Sequence, residues 1–145
     1  MEEKKYTLDQ IYGMVNDFLK KYPFNISWRI KQHCKIIEKH LNSDEEIFYI
    51  FPAQKNTSSF DISSTVIVVF TNKRILIGQK KVLWGYNLLS ITPDMFNDFE
   101  VYKGMISIEV RGRSHNLTLQ GMYFRAMSCR KNCCLYKYWL HQCYT

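Results

Sequence analysis

The sequence predicts an α+β, mainly β fold: an antiparallel sandwich or partly open barrel of about seven strands, with two helices before it and one after. Three observations carry that expectation. Apolar residues recur at helical spacing to about residue 42, at extended or alternating spacing to about residue 120, and at helical spacing again over residues 122–143. Turn residues punctuate the middle section at short intervals, which suits antiparallel hairpins better than βαβ crossovers. Finally, two β-branched apolar runs, 66–70 and 75–77, flank Thr71-Asn72-Lys73-Arg74. Asparagine tolerates a left-handed backbone, so Asn72-Lys73 reads as a two-residue hairpin turn.

The first helix begins at Thr7, whose spacing to Gln10 is that of a capping box, and carries Leu8, Ile11, Tyr12, Val15, Leu19 and Tyr22 at steps of three and four. Pro23 and Asn25 interrupt it. A second helix is expected from about Ser27, with Ile30, Cys34, Ile37 and Leu41 on one face and Arg29, Lys31, Lys35 and Lys39 away from it. Asn42-Ser43-Asp44-Glu45 closes that helix. Residues 1–43 are thus expected to form a helical hairpin, packed as one unit with residues 44–145.

A first strand is expected over 47–52, then a polar loop over 54–63, and the hairpin supplies strands two and three. A turn over 78–81 leads into a fourth extended stretch, 82–91, with Trp84-Gly85 inside it. Pro93 and Asn97-Asp98 break the pattern before a strand over 99–102, and Lys103-Gly104 is a further turn. Ile106, Ile108 and Val110 then alternate with Ser107, Glu109 and Arg111, as in a half-solvated strand; Leu117 and Leu119 alternate with Thr118 and Gln120 after Arg111-Gly112-Arg113. Residues 66–70 are instead apolar on both faces. An antiparallel sheet tolerates that only if its outer side is covered, by the N-terminal helices or by another chain. In the closing helix, Met122, Ala126, Cys129, Cys133, Tyr136, Leu140 and Cys143 share one face, and Arg125, Lys131 and Lys137 fall away from it.

Composition bounds the function. A chain of 145 residues with 46% hydrophobic and 15% aromatic content can bury a core as one domain without staples. No apolar run approaches the length of a membrane helix, and Met1-Glu2-Glu3-Lys4-Lys5 opens no signal peptide, so a cytoplasmic address is expected. The formal charge of +7 is uneven: residues 101–145 hold seven Lys/Arg against Glu109 alone. Such asymmetry suits nucleic acid, anionic lipid or an acidic protein, or a merely solvated face. The odd set Cys34, Cys129, Cys133, Cys134 and Cys143 argues for free thiols.

Little in the chain points to catalysis. None of His33, His40, His115 and His141 sits in a nucleophile elbow, a His-Glu-x-x-His pair or a glycine-rich phosphate loop. Cys129 and Cys133 share a helix face and supply at most half a zinc site, so core packing is the expectation for both, while Cys134 falls off that stripe. No catalytic residue, metal, cofactor or small-molecule substrate is expected. Arg125, Arg130, Lys131 and Lys137, mixed with Tyr123, Phe124, Tyr138 and Trp139, leave single-stranded nucleic acid as an alternative partner.

The layout resembles a bacterial pleckstrin-homology (PH) domain, and within it the YokE-like group preceded by a helical segment. The resembling residues are Glu45-Glu46-Ile47, then Val69-Phe70-Thr71-Asn72-Lys73-Arg74-Ile75-Leu76-Ile77, then Tyr86-Asn87-Leu88-Leu89-Ser90-Ile91, within residues 44–121. The resemblance implies a seven-stranded sandwich with a C-terminal capping helix, acting as a non-enzymatic module, some of whose relatives assemble into oligomers; with the basic charge excess, the expected function is protein association, including self-association, or peripheral contact with an anionic surface. The resemblance also implies that the loops after strands one, three and six gather at one end. That would bring together Lys55, Lys80, Lys81, Arg111 and Arg113 as a candidate anion-contacting surface, with Lys73 and Arg74 as scaffold at the opposite end.

Overall fold

The computed structural model describes residues 5–21, 29–55, 65–81, 83–102, 105–110 and 113–118, together with His141 and Cys143. Helix α1 spans Leu8–Lys21 and α2 spans Ile30–His40. The strands are β1 (Ile47–Lys55), β2 (Thr65–Thr71), β3 (Ile75–Lys80), β4 (Tyr86–Ile91), β5 (Phe96–Tyr102), β6 (Met105–Val110) and β7 (Arg113–Thr118). Every pairing is antiparallel, and the strands lie in the order β4-β3-β2-β1-β7-β6-β5. The fold is α+β, two helices lying against an antiparallel sheet.

The start of α1 follows from its first turn. Thr7 N–H donates to Gln10 Oε1 at 2.9 Å and Gln10 N–H donates to Thr7 Oγ1 at 3.3 Å, so the expected capping box satisfies two orphan donors reciprocally. Both helices turn their apolar stripe to the sheet. Ile11 and Val15 of α1 and Ile30, Cys34 and Ile37 of α2 form one buried cluster with Ile50, Ile67, Val69 and Leu76. The apolar strand β2 is buried along its whole length, and the helices cover the face that carries Ile67 and Val69. Each such Ile, Val or Leu removed from water contributes about 1.5–3 kcal/mol. The approach of α2 to β3 is close at Gly78, where a Cβ would stand 2.9 Å from Ile37 Cδ1. On α1, Phe18 stacks at a tilt on Phe51 with centroids 6.0 Å apart, and Phe51 in turn stacks on Phe70.

Several expected boundaries move. Strand β1 continues past Pro52 to Lys55. β7 joins β1 at Gln54 and Lys55, beyond Pro52, so that pairing does not call on the donor the proline lacks. The extended stretch expected over 82–91 begins only at Tyr86, because Gly85 adopts φ +84° and ends a turn that contains Trp84. Asn97-Asp98, read as a break, lies inside β5, where the register shifts between Phe96 and Asp98; a polar pair within a strand marks a bulge there. Pro93 opens a single 3₁₀ turn, Pro93–Met95, instead. Arg29, expected among the outward cations of α2, is buried at its N-terminus. The closing helix expected over 122–143 lies outside the described residues except for His141 and Cys143, as do Cys129, Cys133, Cys134 and the basic aromatic cluster there.

A basic end of the sheet as the candidate functional site

One end of the sheet is made by the close of β1 at Lys55, the start of β2 at Thr65, the close of β3 at Lys80 and the start of β4 at Tyr86. The register brings β7 to the same end. Gln54 pairs with Thr118 and Lys55 with Leu117, so Arg113, at the start of β7, falls beyond Lys55 on that side. Val110 pairs with Arg113 across the turn between β6 and β7. Of the expected cations, Lys55, Lys80, Lys81 and Arg113 therefore share this end by backbone position. Arg111 lies outside the described residues, as do the side chains of Lys55 and Arg113. Lys80 is half-buried and Lys81 is exposed.

The end of β3 is pinned by helix α2. Lys80 N–H donates to His33 Nδ1 at 2.8 Å, and the Arg29 guanidinium donates through Nη2 to the Lys80 carbonyl. An acceptor role for Nδ1 places the imidazole proton on Nε2. Burial, with the Arg29 charge adding to it, pushes His33 down to about 4, so the ring stays neutral at ordinary pH. Arg29 Nη1 and His33 Nε2 are buried with no hydrogen-bond partner among the described residues, a cost set against holding this strand end in place. Beyond Lys80 the chain closes on itself, Lys81 N–H donating to the Gly85 carbonyl at 3.1 Å. Leu83 and Trp84 ride within that closed turn at 78% and 81% exposure. The Lys39 ammonium lies 5.2 Å from the ring centre of Tyr86, which follows the turn.

Sequence reasoning missed this tip because the apolar run 82–84 was read as the start of a strand. The signal that marks it is Gly85 directly after Trp84, with two lysines in front.

The opposite end is scaffold. Glu45 is fully buried and its carboxylate receives Arg74 Nε at 3.1 Å, Arg74 Nη2 at 2.7 Å and the Thr71 hydroxyl at 2.8 Å. Arg74 Nη2 also donates to the His40 carbonyl at 2.6 Å and Nη1 to Ser90 Oγ at 3.2 Å. One guanidinium thereby ties the end of α2 to β3 and β4. Asn72 is tied to Glu46 by side chain and backbone: Glu46 N–H donates to Asn72 Oδ1 at 2.9 Å while the Asn72 backbone N–H donates to the Glu46 carbonyl at 3.1 Å. Lys73 pairs with Asp44, and that hydrogen bond holds the Asp44 carboxyl below its usual value. The Cys143 thiol stands 4.0 Å from the Thr71 carbonyl, and burial pushes it up to about 11. Among the described residues no group of three or more His, Cys, Asp and Glu side chains is placed to hold a metal ion, and no helix is long and apolar enough to cross a membrane.

A family model for the bacterial PH domain matches residues 41–131, which take in every strand from β1 to β7. The chain belongs to the bacterial PH domain family. No curated protein matches it. In this bacterial PH domain α1 and α2 precede the matched segment, yet they supply five of the nine buried residues of the core cluster and, with the N-cap Arg29, the two side chains that pin Lys80.

Proposed function

We propose that this bacterial PH domain is a non-enzymatic cytoplasmic binding module that makes peripheral contact with an anionic surface through the basic end of its sheet. Lys55, Lys80, Lys81, Arg111 and Arg113 are the contacting cations. The reading takes the chain to complete a seven-stranded sandwich closed by a helix over residues 122–143, in the manner of the YokE-like group, with residues 1–43 packed onto 44–145 as one unit.

The single observation that supports it is the register, in which the β3–β4 turn with Lys80 and Lys81, the close of β1 and the start of β7 lie at the same end of the sheet. Cations on converging turns suit phosphate and carboxylate groups, and each Lys or Arg near an anionic membrane surface contributes about 1 kcal/mol. Co-sedimentation with phosphatidylglycerol vesicles, against phosphatidylcholine alone, tests the proposal. Binding to the anionic vesicles alone is expected, falling as salt rises and weakened by Lys80→Glu/Lys81→Glu. Equal binding to both vesicles contradicts it. So does binding to neither, and a defined oligomer in light scattering would then turn the assignment to protein association.

A further inference from the structure

Among the described residues, the two most exposed large hydrophobic side chains are neighbours in the chain, Leu83 and Trp84, both at the basic end. Apolar area held in water without cover marks an interaction site when it is contiguous. Here the backbone presents it. Gly85 at φ +84° and the Lys81 to Gly85 hydrogen bond close the turn, and the pinned end of β3 fixes its base. The chain on either side of the tip carries one sign of charge. Lys80 and Lys81 precede the tip, Lys39 sits over Tyr86 behind it, and no Asp or Glu occurs in the chain between Asp61 and Asp94.

We infer that Leu83 and Trp84 insert into an anionic bilayer, at the boundary between headgroups and acyl chains, with Lys80 and Lys81 held at the lipid phosphates. The inference rests on the proposed surface contact and names its ligand as lipid. An indole belongs at that boundary, where its ring is buried and its N–H stays near water, and lysine stems reach along apolar surface while their ammonium groups remain outside. Lysines beside the tip match an anionic plane, and an apolar tip adds affinity that salt does not screen.

The experiment uses the full chain with Trp28→Phe/Trp139→Phe, leaving Trp84 as the sole tryptophan, and vesicles of phosphatidylcholine with phosphatidylglycerol. Trp84 emission shifts to the blue on binding and is quenched by lipids brominated near the top of the acyl chain. Leu83→Ser/Trp84→Ser, with an unchanged circular dichroism spectrum, partitions roughly tenfold or more weakly. Should the double Phe variant fail to fold, the difference in quenching between the natural chain and Trp84→Phe gives the same reading. Salt-sensitive vesicle binding with Trp84 unquenched and the Ser variant unaffected overturns insertion and leaves surface contact standing. Absence of any vesicle binding overturns both. A blue shift that grows with protein concentration without vesicles overturns insertion in favour of a second copy covering the tip.

Discussion

His33 and Arg29, one turn apart on α2, grip the same residue of β3 from two sides: His33 accepts the Lys80 N–H and Arg29 donates to the Lys80 carbonyl. Protonating His33 removes the acceptor and adds a second buried cation beside the first. The folded protein therefore keeps the ring neutral down to about 4, whereas the unfolded chain takes up the proton near 6.5. The stability this group contributes is complete above pH 6.5 and is lost as pH falls toward 4, by roughly 3 kcal/mol once both states are protonated. His40, lowered chiefly by burial and then by Lys39 and Arg74, acts in the same direction. Urea midpoints between pH 8 and pH 4 should fall steeply for the natural chain and less steeply for His33→Gln, which keeps an acceptor but cannot titrate. An unchanged slope in that variant would remove His33 from the account. Of these residues, the capping pair Thr7 and Gln10 was legible in the sequence because both partners lie within one turn. Arg29 was not: its partner is a carbonyl fifty-one residues away, and helical spacing says only that a cation is off the main stripe.

Between elements, the attachment of α2 to the hairpin rests on apolar packing at Gly78 and on the ion pair at Glu45. The carboxylate is fully buried and Arg74 is largely so, which makes the pair costly to break from one side. Glu45→Ala leaves the largely buried guanidinium without its counter-charge and takes one of two acceptors from the Thr71 hydroxyl. It should destabilise by about 3 kcal/mol in urea unfolding, against roughly 1 kcal/mol for Thr71→Val. A loss below about 1 kcal/mol for Glu45→Ala would place the pair with ordinary surface ion pairs. The helices and the β2–β3 hairpin could be read from periodicity because each buries a continuous stripe. Strand ends could not. Pro52, Trp84-Gly85 and Asn97-Asp98 all look like local punctuation, yet whether each ends a strand, opens a turn or makes a bulge depends on the neighbouring strand's register.

At the scale of the molecule, the proposed function gives the two ends of the sheet different work. The Thr71-Asn72-Lys73-Arg74 turn, the best fold signal in the sequence, ties elements together through its amide, hydroxyl and guanidinium groups. The opposite end carries Lys80 and Lys81 next to an exposed apolar tip. That the close of β1, the close of β3 and the start of β7 share one end was legible through the family resemblance, since it follows from strand order. The tip was not, since its exposure depends on a glycine backbone and on α2 holding β3 from outside the family segment. The most direct test of the account is hydrogen–deuterium exchange of the full chain with and without phosphatidylglycerol vesicles. Slower exchange is predicted at the close of β1, over residues 80–86 and at the start of β7, with the Thr71–Arg74 turn unchanged. Slowing confined to that turn or to α1, with residues 80–86 unaffected, would contradict it.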